Sequence, residues 1–315
     1  MGWGRRVLRL LQRVALVLLL VLFGLIGGDI PVVLSSADGG PDLYCPSPKS
    51  ELTVIALGDT RTPYHPIKHT LLDAIIEERP DVVLHLGDMV ADTRDEHWAR
   101  FDREEGRIMA AGIPMLPVMG NHEHRGMMYR GNPLKPLFHR FPELNSSRWY
   151  RYLCGPLELV VIDTEDTFIP DGHQSFWFKR HLRSMPNGKA RIVAMHRPAI
   201  TGKPRYTHWH ADALIEMVRP NPNYGGAGLV LASHVHNYER FQRGGSIWVV
   251  SGGGGAPAYH FPRRSDDLFK KATFPNYHYL RIKVKGGRMD VEMVRMDPEG
   301  RGSRVADSFS VVESR

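Results

Sequence analysis

The sequence predicts an α/β fold in which helices cover a mixed sheet system. Short apolar runs of β character alternate with segments of helical spacing from Leu52 to Val218, and from Leu229 onward the chain turns mostly to strands. A third observation bears on function. Five of the apolar runs end directly in a short polar signature, and groups just past the carboxyl ends of strands in an α/β sheet converge on one crevice.

Residues 53–57 form the first predicted strand and run into Gly58-Asp59. Ile67, Leu71, Leu72, Ile75 and Ile76 then recur at helical spacing over residues 66–78. The strand at 82–86 ends in Gly87-Asp88, and a helix over 95–110 follows, with Trp98, Phe101, Ile108 and Met109 as its apolar stripe. The third strand, 115–119, meets Gly120-Asn121-His122-Glu123. Residues 126–148, with glycine, proline and basic side chains, read as an insertion loop overhanging the site. A hairpin over 149–153 and 157–162 turns at Gly155-Pro156. Helix 174–185, strand 191–195 with His196 behind it, and helix 209–218 continue the alternation. Strand 229–232 leads through Ser233 into His234-Val235-His236, and strands at 246–250, 279–284 and 289–294 complete the chain. No repeat and no internal linker interrupt it, so residues 51–315 read as one domain.

A chain of 315 residues, 42% apolar and 24% charged, buries a sizeable core. Its net charge of +7 falls to about +4 without residues 1–37. Such mild basicity suits an anionic substrate, and no Lys/Arg run with interleaved aromatics points to nucleic acid. Residues 1–37 read as an export segment, with Arg5, Arg6, Arg9 and Arg13 ahead of an apolar stretch that breaks at Gly27-Gly28-Asp29. That stretch suits a signal peptide better than a full span, which needs about 20 apolar residues. Ser35-Ser36-Ala37 offers a cleavage site, and Arg5-Arg6 weakly resembles a twin-arginine signal. The alternative is an uncleaved N-terminal membrane anchor. Either places the body on the periplasmic or extracellular side, with membrane contact only through residues 1–37. Residues 38–50 read as a linker. Cys45 and Cys154 suit one disulfide in an oxidising compartment, or else two separate buried thiols.

Two carboxylates, an amide oxygen and three imidazoles at strand ends are oxygen and nitrogen ligands for a divalent metal. The ordered set Gly-Asp, Gly-Asp, Gly-Asn-His-Glu, strand-end His and His-x-His resembles the calcineurin-like metallophosphoesterase superfamily, in its purple-acid-phosphatase-like branch. Ser233-His234-Val235-His236-Asn237-Tyr238-Glu239-Arg240 is similar to that branch's Gly-His-x-His segment, with serine for glycine. Gly172-His173-Gln174 with Trp177, and the glycines 252–255, are also similar. The resemblance covers residues 52–255 and implies a four-layer α/β/β/α sandwich of two mixed β-sheets flanked by helices. It implies two divalent or trivalent metal ions (Mn, Fe or Zn) bridged by Asp88. Asn121, His196 and His234 would complete one site, while Asp59 and His236 would serve the other. His122 would be the catalytic, non-ligand acid at the leaving group, and Asn121 and His122 would also contact substrate. Glu123 would orient a neighbour.

The chain departs from the family pattern at two positions. Arg61 stands where the first motif usually has a metal-binding histidine, and Ala91 where purple acid phosphatases have the iron-binding tyrosine. A colourless protein with a weak first site is expected, completed by water or by a nearby side chain such as His65 or Asp92. Arg61 grips the substrate phosphate, or else pairs with an acid such as Asp92. His85, His124, His208 and His210 are expected as surface or pocket residues. The glycine run lacks a P-loop ending and reads as tight turns close to the site. The reading is an exported phosphoesterase acting on phosphomonoesters or phosphodiesters by direct attack of metal-bound hydroxide. The alternative is a binding or scaffold protein of the same family with little turnover.

Overall fold

In the computed structural model the described residues are 32–35 (backbone only), 39–61, 66–125, 132–165, 169–184, 188–221, 225–271, 273–299 and 302–313. The leader, apart from residues 32–35, therefore lies outside them. No helix among the described residues is long and apolar enough to cross a membrane.

The first predicted strand is β3 (Glu51–Leu57), counting the short β1 (Val32–Ser35) and β2 (Pro41–Tyr44) ahead of it. It pairs in parallel with β4 (Val82–His85), and β4 pairs with β5 (Met115–Pro117). On its other side lie antiparallel β12 (His278–Lys285), β13 (Arg288–Met296) and β14 (Ser303–Val312), giving a six-stranded sheet. The second sheet has eight strands. Its centre is the hairpin of β6 (Tyr150–Cys154) and β7 (Leu157–Val161), followed by parallel β8 (Ala190–Ala194), β9 (Leu229–Ala232) and β11 (Ser246–Ser251). β10 (Tyr238–Arg243) closes one edge, and β1 with β2 the other.

The period-2 alternation of a strand decides the layers. Leu157, Leu159 and Val161 of β7, with Ile192 and Leu231, face one core shared with Val54, Leu84 and Ile282 of the other sheet. Val160, Val193 and Val230 face a second core, covered by Trp177 and Phe178 of α5 (His173–Arg183) and Leu214 of α6 (Ala211–Val218). The six-stranded sheet is covered by α1 (Pro66–Glu78), α2 (Asp95–Glu104) and α3 (Gly106–Ala110), through Leu71, Ile75, Trp98, Phe101 and Ile108. The result is the expected α/β/β/α sandwich.

Three local expectations change. The helix read over 95–110 divides around Glu105, whose buried carboxylate takes the Lys68 ammonium at 2.7 Å. The stretch read as an insertion loop is helical in its described part. Residues 126–131 lie outside it, but α4 (Lys135–Arg140) and a 3-10 turn (Pro142–Leu144) follow, and Leu134, Leu137, Phe141 and Leu144 are buried. Within the stretch read as a linker, β2 pairs in parallel with β6, and Leu43 is buried. Beside that pair, Cys45 and Cys154 form a disulfide with their Cα atoms 5.1 Å apart.

Candidate metal centre

Each signature sits at the carboxyl end of a parallel strand, as the pattern predicts. Asp59 follows β3, Asp88 follows β4, Asn121 and His122 follow β5, His196 follows β8, and His234 and His236 follow β9. The loops are sewn together through backbone, Asp59 N–H to Gly87 O at 3.0 Å and Arg61 N–H to Asp88 O at 3.1 Å. Glycine is required where these loops touch. A Cβ on Gly120 would stand 2.5 Å from Asp88 Oδ1, and one on Gly252 would stand 2.4 Å from Val235 O and 2.8 Å from Asp59 Oδ2. Asp59, Asp88 and His234 themselves have φ of 61°, 56° and 66°. Such left-handed backbone costs about 1–3 kcal/mol per non-glycine residue and persists only where neighbours hold it.

Glu123 is one such neighbour. Its carboxylate accepts from Asp88 N–H at 2.9 Å, Met89 N–H at 2.8 Å and Val90 N–H at 3.2 Å, and also from Gly120 N–H at 2.8 Å. One buried acid thus locks the loops bearing Asp88 and Asn121. Ser233 is another. Its hydroxyl donates to Asp59 Oδ2, and His234 N–H reaches the same oxygen at 2.9 Å.

Two groups of donor atoms result, each with all members within 4.8 Å of one another: Asp88, His196 and His234, and Asp59, Asp88 and His236. Asp88 belongs to both. His196 Nδ1 donates to Leu86 O at 2.8 Å, which turns its Nε2 lone pair to within 3.3 Å of Asp88 Oδ1. His234 Nδ1 lies 3.2 Å from that same nitrogen. His236 Nδ1 donates to Pro257 O at 2.8 Å, leaving Nε2 at 3.2 Å from Asp59 Oδ1. Asp59 Oδ1 and Asn121 Oδ1 are buried without a hydrogen-bond partner among the described residues.

These residues fit a pair of divalent cations. Burial lifts the Asp88 carboxyl well above its usual range, His196 opposes the rise, and the charges of Asp59 and Glu123 add to it. Burial also acts to raise Asp59, but His236, His196 and the Ser233 hydroxyl together outweigh it and hold that carboxyl below its usual range. Burial, then the charges of His196 and Arg197, push His234 down to about 2, so its imidazole is neutral. Metal ligation needs neutral imidazole and ionised carboxylate, and a cation placed among these donors relieves the crowding of buried negative charge.

His122 stands beside the centre, with Nε2 at 3.6 Å from Asp88 Oδ2. Its Nδ1 meets Ala91 O at 2.5 Å, and its Nε2 receives the Arg125 guanidinium at 2.8 Å. Arg61 lies neither free nor on Asp92: its Nε is 3.4 Å from Asp88 Oδ2. Asp92 is taken by Arg94 at 2.9 Å and His97 at 2.7 Å, so it is no replacement ligand, and His65 lies outside the described residues. His85 is no surface residue. It is fully buried and meets Thr60 at 2.9 Å. His124 lies 3.2 Å from Asp163, and His208 is buried.

Sequence reasoning passed over Arg125 and Arg197. Arg197 approaches His234 Nε2 at 2.9 Å through Nη1 and Glu165 at 2.9 Å through Nη2. Their adjacency to Glu123-His124 and to His196 was the available signal, because a residue beside a strand-end ligand shares its crevice.

A four-layer sandwich with a shared carboxylate between two histidine-bearing donor groups defines a metallophosphoesterase. The chain belongs to the calcineurin-like phosphoesterase family, whose model matches residues 52–238. Its relatives lie in the purple acid phosphatase branch. It is 24% identical over 208 residues to probable inactive purple acid phosphatase 9 of Arabidopsis thaliana, covering 54% of this chain and 31% of that protein. It is 23% identical over 176 residues to purple acid phosphatase 1 of Ipomoea batatas, covering 51% and 37%. The chain thus spans about a third of the length of these two relatives. The structure of purple acid phosphatase PPD1 from yellow lupin (Lupinus luteus) seeds shares the fold, with a TM-score of 0.70 at 19% identity over 86% of this chain and 56% of that one.

Proposed function

We propose that this chain is an exported, metal-dependent phosphoesterase that hydrolyses phosphomonoesters or phosphodiesters at a dinuclear centre. The observation that carries the reading is the membership of Asp88 in both donor groups, since two cations held close together need an anionic bridge. When bound, the metal pair supplies Lewis-acid activation of water and of the phosphate oxygens. Around it the protein's own groups divide the work. Asp59 and His236 would hold one ion, and Asn121, His196 and His234 the other, with Asp88 shared and Glu123 fixing the loops that bear Asp88 and Asn121. His122 takes the leaving-group side. To act there as acid it has to be released by Arg125, an exposed residue that would turn from His122 onto an anionic substrate. Arg61, 3.4 Å from Asp88, would exchange that carboxylate for the phosphate of the substrate. Export is supported by the Cys45–Cys154 disulfide, which persists in oxidising compartments.

A second reading keeps the fold without turnover. A guanidinium 3.4 Å from Asp88 opposes a cation in the Asp59–Asp88–His236 group, and the Arabidopsis relative carries the word inactive in its name. One experiment separates the two. The protein is stripped with chelator, Mn, Zn, Fe or Mg is restored singly, and a chromogenic monoester is assayed beside the matching diester. Hydrolysis that returns with metal supports the enzyme, and its absence with every metal supports the binding reading.

A further inference from the structure

The wall beside the His-x-His segment carries two positive charges that the hydrolytic reading leaves unused. The ring of Tyr206 lies 5.1 Å from that of His234, and Tyr259 stacks on His236 at 4.2 Å with an interplanar angle of 20°. The two tyrosine rings are 5.6 Å apart. Onto this platform the 3-10 turn Pro204–Tyr206 and its flank bring Lys203 and Arg205. Lys203 Nζ lies 4.0 Å from the Tyr259 ring, 4.9 Å from Tyr206 and 5.7 Å from Phe261. The Arg205 guanidinium sits 4.8 Å over Tyr206 and donates to its hydroxyl at 2.9 Å.

Two neighbouring cations are neutralised by acids, Arg197 by Glu165 at 2.9 Å and Arg263 by Asp267 at 2.6 Å. Among the described residues, neither Lys203 nor Arg205 meets a carboxylate. Aromatic faces hold a cation in place without cancelling its charge. The arrangement therefore fixes two full charges one ring away from the metal-facing histidines, with Arg205 exposed and Lys203 partly so. Simple monoester hydrolysis makes no use of such a pair.

We infer that Lys203 and Arg205 form a subsite for a second anionic group of the substrate, a phosphate or a carboxylate carried beside the reacting phosphate. This rests on the hydrolytic reading above and narrows it, because the preferred substrates then carry two anionic groups. Lys203 acts as a point charge and Arg205 as a planar fork, so phosphate and carboxylate both suit the pair.

The test is calorimetric binding of orthophosphate, pyrophosphate and phosphoglycolate to the metal-loaded full chain. It is run beside hydrolysis of a chromogenic monoester and applied to wild type, Lys203→Ala/Arg205→Ala and the charge-keeping Lys203→Arg/Arg205→Lys. Wild type is expected to bind pyrophosphate or phosphoglycolate about tenfold or more tighter than orthophosphate, as one or two charge-assisted hydrogen bonds would give. Whichever of the two shows the preference identifies the second group as phosphate or carboxylate. The preference is lost in the alanine pair and kept in the charge-keeping pair. Equal affinities in wild type, or a preference surviving the alanine pair, overturn the inference while monoester hydrolysis leaves the parent reading intact. Absence of hydrolysis with every metal removes both.

Discussion

Glu123 touches no metal position, yet four backbone N–H groups converge on its carboxylate from the two loops that bear Asp88 and Asn121. Glu123→Gln turns an amide NH2 toward some of those donors and leaves buried N–H groups unmet. Metal affinity of the variant is expected to fall about 10–100-fold, as for other residues that orient ligands. A metal-binding titration checks it, and unchanged affinity would reduce Glu123 to a packing residue. Ala91 makes a second prediction. No phenolate stands at that position, and the backbone carbonyl there is engaged by His122. The iron-loaded protein is expected to show no tyrosinate charge-transfer band in its visible spectrum, and a purple protein would mean that another tyrosine ligates. At this scale nearly every donor was legible, because a ligand needs a particular residue type at a strand end. The partners of Arg61, Arg125 and Arg197 were not, since a long cationic side chain reaches many acids and sequence fixes none of them.

The element that turns away from the centre after His236 is β10, and its Glu239 ties that strand to the loop beyond β8. The buried carboxylate takes the Thr201 hydroxyl at 2.6 Å and Gly202 N–H at 2.7 Å. Burial pushes its pKa from 4.5 to about 7, against those hydrogen bonds and with help from Asp267. Raised in the folded state, the group makes the native protein bind the extra proton between those values. Its contribution is therefore present at low pH and lost as pH rises towards 7. Glu239→Gln can keep both hydrogen bonds. It is expected to gain stability relative to wild type between pH 5 and pH 8 in urea unfolding, and an equal difference at both values would contradict this. β10 itself escaped the sequence reading because Tyr-Glu-Arg-Phe-Gln-Arg carries charge through an edge strand. β14 escaped for the same reason, and β2 because four residues beside Gly and Pro look like a turn. The helix α4 was legible in hindsight. Leu134, Leu137, Phe141 and Leu144 recur at spacings of three and four, and the prolines and basic residues between them masked that stripe.

Across the whole molecule, the parallel strands of the two sheets bring the donors together, and the disulfide staples the eight-stranded sheet at the β2–β6 pair. It spans 109 residues of sequence, so cutting it frees a long loop in the unfolded chain. Cys45→Ser/Cys154→Ser is expected to lose about 2–5 kcal/mol in urea unfolding. A loss near zero would show that the strand pairing alone fixes that edge. The α/β alternation predicted helices over a mixed sheet system, and the family resemblance carried by the strand-end signatures implied the sandwich. The pairing of the sheet edges was beyond them, because edge pairing is decided by neighbours distant in sequence. The central claim is a two-metal centre bridged by Asp88. The most direct test is calorimetric titration of chelator-stripped protein with Mn or Zn, wild type beside Asp88→Asn. Two bound ions per chain are expected, one weaker because Arg61 lies against the bridge, with both impaired in the variant. No binding by wild type, or the same two ions bound by Asp88→Asn, would contradict the account.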